Sequence, residues 1–127
     1  MKIALIRKFV TVVLVGLCSQ AAIADNASSA TEIAGIVVSM NHFPSDADKA
    51  KLMAITADDS LAEGVRAMAT AVANISHAAT AEGKAAMAAL QDSQMPDRGK
   101  TLASVIAGFN HMASAEDKAS ITELYGL

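Results

Sequence analysis

The chain has a single cysteine, two prolines, one tyrosine, three phenylalanines and no tryptophan in 127 residues. With 3% aromatics and a formal net charge of −3, it presents neither a basic footprint nor a stacking platform for nucleic acid. Its 53% hydrophobic content is too high for a disordered chain. No catalytic motif is present, which sets the expectation of a non-enzymatic protein without a cofactor. The length allows one domain.

What is present begins with an export signal. Lys2, Arg7 and Lys8 form a positive segment, Phe9–Leu17 an apolar run of nine residues, and Ala22-Ile23-Ala24 a small-x-small cleavage pattern. The run is far below the ~20 residues of a membrane span. Residues 1–24 therefore read as a signal peptide cleaved after Ala24, giving a periplasmic or secreted protein with no stable membrane anchor. Lipid attachment at Cys18 is disfavoured because the preceding Leu17 is large. Cleavage removes the cysteine, so no disulfide, thiolate metal site or haem attachment remains. The remaining 103 residues hold seven basic and thirteen acidic side chains, and their stability has to come from packing.

The mature chain aligns with itself. Ile33–Ile55 set above Leu102–Leu124 share Ala, Asn, His, Ser, Asp, Lys and Ala in seven columns, and Met68–Leu90 fits between them without a gap. His42, His77 and His111 share one column, and Lys49, Lys84 and Lys118 another. Each copy opens on a stripe at helical spacing: Ile33, Ile36, Val37 and Met40, or Leu102, Val105, Ile106 and Phe109. A second helix then starts at a cap, Ser45, Thr80 or Ser114, with Asp48 and Asp117 as reciprocal partners and Gly83 lacking that role.

The expected fold is all-α: three tandem αα-hairpins of about 34–35 residues, packed as a six-helix bundle or a short solenoid. Their spans fall near 31–64, 66–99 and 100–127, after a flexible lead-in at 25–29. Helices are expected near 29–42, 46–56, 60–77, 81–91, 97–111 and 115–125, with Asp59, Ser60 and Asp97 as further caps.

The histidine column is the feature that invites chemistry. His42, His77 and His111 are candidate ligands for Zn²⁺ or Cu²⁺. The simpler reading is metal-free: each imidazole closes the last turn of a first helix, near its free carbonyls. In a side-by-side stack, equivalent residues sit on the order of 16–20 Å apart. Only a closed, three-fold-like bundle brings them together. A Ser-His-Asp triad from His42, Ser45 and Asp48 is excluded, because a capping serine spends its oxygen on backbone N–H groups. The lysine column reads as snorkelling side chains. Met40, Met68 and Met87 are core candidates, whereas Met53, Met95 and Met112 lie off the stripe.

These observations lead to an exported protein that binds a protein or peptide partner. The alternative is a small-ligand or metal carrier using the histidine end. Ala-rich faces also allow a homo-oligomer.

Overall fold

The computed structural model describes residues 25–127, and the proposed signal peptide lies outside the described residues. They form six helices and no strand: α1 (residues 25–39), α2 (Asp46–Ala57), α3 (Glu63–Ala73), α4 (Ala81–Gln91), α5 (Asp97–Ala107) and α6 (Ala115–Tyr125).

The odd and even helices play different parts. α1, α3 and α5 carry the apolar stripes and bury most of them. Ile33, Val37, Met68, Val72, Leu102 and Ile106 are fully enclosed. The even helices are polar on most of their surface and bury only two residues each, Leu52 and Ile55 on α2, Gly83 and Met87 on α4, Ile121 and Tyr125 on α6. The result is three inner helices jacketed by three outer ones. Ala34, Ala69 and Ala103 are fully buried on the three inner helices, and their small size lets helix backbones approach closely. A fully buried Leu, Ile or Met contributes about 1.5–3 kcal/mol, so the inner stripes supply most of the cohesion.

The bundle closes on itself. His42 near the end of α1 donates its backbone N–H to the His111 carbonyl beyond α5. A Cβ built on Gly35 of α1 lies 3.9 Å from the Leu127 side chain. First and last helix pairs are thus neighbours, and the solenoid alternative does not describe the molecule.

Several boundaries differ from expectation, each for a physical reason. Residues 25–29 are helical, not a lead-in; Thr31 Oγ1 donates to the Ala27 carbonyl, and Asn26 Oδ1 accepts from the Ala62 N–H across to α3. The odd helices end at 39, 73 and 107, three or four residues before the histidines. The breaks between helix pairs fall at 58–62 and 92–96, not at the expected 64–66 and 99–100. Asp58 and Ser60 build a local turn instead of capping α3: Asp58 Oδ1 accepts from the Ser60 N–H and hydroxyl. Those two bonds hold the Asp58 carboxyl below its ordinary value. Asp59 and Ser60 cap nothing, and α3 starts from Ala62 without a side-chain cap. Asp97 is the first residue of α5, where its charge favours the helix dipole.

Candidate metal centre

The odd helices end in tightened turns, where Ile75 N–H donates to Val72 O and Phe109 N–H to Ile106 O. Asn74 and Gly108 stand at the C-caps of α3 and α5. The chain then makes a tight reversal before Ser45, Thr80 and Ser114 restart the next helix. Those three oxygens accept from the N–H groups of Asp48, Gly83 and Asp117 at 3.0–3.1 Å. Between helix end and cap sit Asn41-His42-Phe43, Ser76-His77-Ala78 and Asn110-His111-Met112.

All three histidines adopt left-handed backbone conformations, with φ of 68°, 68° and 66°. They are the only non-glycine residues among those described with positive φ. In two turns the residue after His donates back to the residue before it: Phe43 N–H to Asn41 O and Met112 N–H to Asn110 O, each at 2.8 Å. An i→i+2 bond around a residue of positive φ is the strained form of the γ-turn. A non-glycine residue pays roughly 1–2 kcal/mol there.

Three hydrogen bonds hold the turns in place. His42 N–H donates to His111 O at 2.5 Å, His77 N–H to His42 O at 2.7 Å, and His111 N–H to His77 O at 2.5 Å. The three peptide segments form a closed ring at one pole of the bundle. This ring overturns the view that each histidine closes the last turn of its own helix. It also replaces the separation of a side-by-side stack with direct contact.

The side chains gather accordingly. Ring centroids of His42 lie 5.2 Å from those of His77 and His111, edge to face, and His77 and His111 are 5.3 Å apart. One ligand nitrogen from each lies within 4.8 Å of the others. His77 and His111 are exposed and His42 is half-buried, so the cluster is open to solvent. No carboxylate or thiolate belongs to it among the described residues. The first turns of the outer helices begin four residues further on and carry Asp46, Asp48, Glu82, Glu116 and Asp117. The pole therefore offers imidazole donors, followed by helix starts that hold these carboxylates together with Lys49, Lys84 and Lys118. Asn110 Oδ1 also lies 2.6 Å from His111 Nδ1. The shared Asn-His pair in two of the aligned copies was its only trace in the sequence.

Such a cluster suits a borderline first-row cation. Tetrahedral Zn²⁺ with bonds of about 2.0–2.1 Å needs ligand nitrogens about 3.3 Å apart, about 1.5 Å at most inside the 4.8 Å separation. All-imidazole donors favour Zn²⁺ and Cu²⁺ over Mg²⁺ and Ca²⁺, which take oxygen ligands.

At the opposite pole lies an open apolar groove of about 770 Å³, lined by Ala30, Met68, Leu90, Met95, Arg98 and Tyr125 among others. The Tyr125 hydroxyl donates to the Arg98 carbonyl at 3.1 Å, and the Arg98 guanidinium lies 5.6 Å from its ring centre. Burial raises the phenol above its ordinary 10.0, with the nearby guanidinium opposing the shift. Met95 occupies the space that a side chain at Gly99 would fill, and Leu90 and Met95 together that at Gly64. Of the other residues singled out in the sequence, Lys49 and Lys84 are exposed and Lys118 is half-buried. Met40, Met68 and Met87 are core, while Met53 and Met112 are exposed.

Compared with protein-family models, characterised proteins and solved structures, the chain matches none.

Proposed function

We propose that this is an exported, non-enzymatic metal carrier. In this reading three copies of one helical hairpin each contribute an imidazole to a tripod that takes Zn²⁺ or Cu²⁺. The carrying observation is the convergence of His42, His77 and His111, with ligand nitrogens within 4.8 Å. The backbone adds support. Where only a left-handed turn is required, glycine serves without strain, yet all three positions hold histidine at a conformational cost. A demand for imidazole explains that choice. Three protein ligands leave a coordination position for water or an external donor, and the exposed pole allows an ion to be loaded and released.

The copies also share their helix starts, at Ser45, Thr80 and Ser114, and their left-handed residue. These equivalences, together with the self-alignment, favour descent from one hairpin. The N-terminal segment supports export.

The test is titration of untagged, metal-free protein with Zn²⁺ and with Cu²⁺. One ion per chain is expected, with a matching rise in melting temperature. At a free concentration of 100 Kd the gain is about 2.7 kcal/mol, on the order of 10 °C for a domain of this size. Single His→Asn variants, which tolerate the left-handed turn, should each abolish the gain. Saturable binding that survives all three substitutions, or no saturable binding, overturns the reading.

A second reading, binding of a protein or peptide, draws on the apolar groove at the other pole. That groove suits an inserted aliphatic side chain.

A further inference from the structure

The imidazoles of the tripod are not equivalent. His42 and His77 make no side-chain hydrogen bond among the described residues, whereas His111 Nδ1 lies 2.6 Å from Asn110 Oδ1. With the carboxamide oxygen turned to the ring, as here, Nδ1 carries the proton and donates. The lone pair of His111 is then on Nε2, which leaves that nitrogen as the one able to bind an ion. We infer that Asn110 is a positioning residue: it fixes the Nδ1–H tautomer of His111 and commits the tripod to Nε2 coordination at that corner.

The anchor is firm. The Asn110 carbonyl accepts from Met112 N–H at 2.8 Å, and its backbone bridges to Ala78 in the neighbouring turn. The amide therefore starts from a backbone held on both sides of the ring. Metal-binding histidines characteristically donate their second ring N–H in this way, which orients the ring and raises its basicity. Asn41 occupies the corresponding place before His42, and Ser76 the place before His77. One corner of the tripod is thus preset, and the other two adjust on loading.

This inference rests on the metal-carrier reading for its purpose, but its first test needs no metal. In ¹⁵N-resolved spectra of the metal-free protein, His111 should show the Nδ1–H tautomer. Asn110→Ala should return it to the tautomer mixture of a free imidazole, with little change in melting because the side chain is exposed. Affinity for Zn²⁺ should fall about 10–100-fold in that variant. Asn110→Asp keeps an acceptor and should retain both the tautomer and the affinity. An Nε2–H tautomer at His111 in the parent overturns the inference, as does unchanged Zn²⁺ affinity in Asn110→Ala. A parent that binds no Zn²⁺ defeats the carrier reading instead, and the tautomer spectrum still decides the role of Asn110.

Discussion

A positive φ is a demand on the residue, and side chains meet it unequally. Glycine adopts it freely, asparagine and histidine tolerate it, and β-branched residues are outliers there. His77 is the cleanest place to read this, since its ring is exposed and makes no hydrogen bond among the described residues. Metal-free stability should place His77→Gly at or above the parent and His77→Asn near it. His77→Val should be on the order of 1–2 kcal/mol less stable than His77→Gly. Denaturant melts of the three variants check it, and equal stability of the valine and glycine variants would contradict the turn described. The same ranking separates backbone from side chain, because His77→Gly keeps the fold while removing an imidazole.

Among the elements, the outer helices were the legible ones. α2, α4 and α6 start where Ser45, Thr80 and Ser114 announce them, because a capping oxygen is a local signal that needs no tertiary partner. The inner helices were read past their C-terminal ends. Met40, Ile75 and Phe109 continue the apolar stripe and are buried, but they do so from the turns after the helices have ended. Periodicity reports burial, and burial outlasts the helix here. The histidine column was visible, while its convergence was not: an alignment supplies a period, and the same period serves a stack or a closed ring.

The caps themselves are simpler than their sequence suggests. Each oxygen accepts from the third residue of its helix, and the Asp48 and Asp117 carboxylates make no return bond among the described residues. Gly83 therefore costs the α4 cap nothing. Its smallness instead serves packing, since a Cβ there would come within 3.2 Å of Thr80 Oγ1 and 3.6 Å of Ala71. Ser45→Ala, Thr80→Ala and Ser114→Ala should each lose about 0.5–2 kcal/mol by the same amount within error. Thermal denaturation of the three variants gives the comparison, and a clearly smaller loss at Thr80 would restore the reciprocal box at the other two.

At the scale of the molecule, the ring has three seams between helix pairs, and they are not alike. Two are also spanned by the covalent chain, at 58–62 and 92–96. The third, where His42 meets His111 and Gly35 meets Leu127, is held by noncovalent contacts alone. A molecule that parts there exposes α1 and α2 as a unit, and the vacated place accepts the same unit from another molecule. Exchange of an identical element is a low-cost route to dimers, and it restores every bond of the ring, each tripod now drawing its histidines from two chains. Refolding at high concentration should therefore yield a dimer resolved by size-exclusion chromatography, carrying the same Zn²⁺ per chain as the monomer. A dimer with no metal capacity would place the exchange elsewhere. The seam without a covalent bridge thus lets two chains close around one another, so that one histidine tripod per chain becomes two in a single assembly.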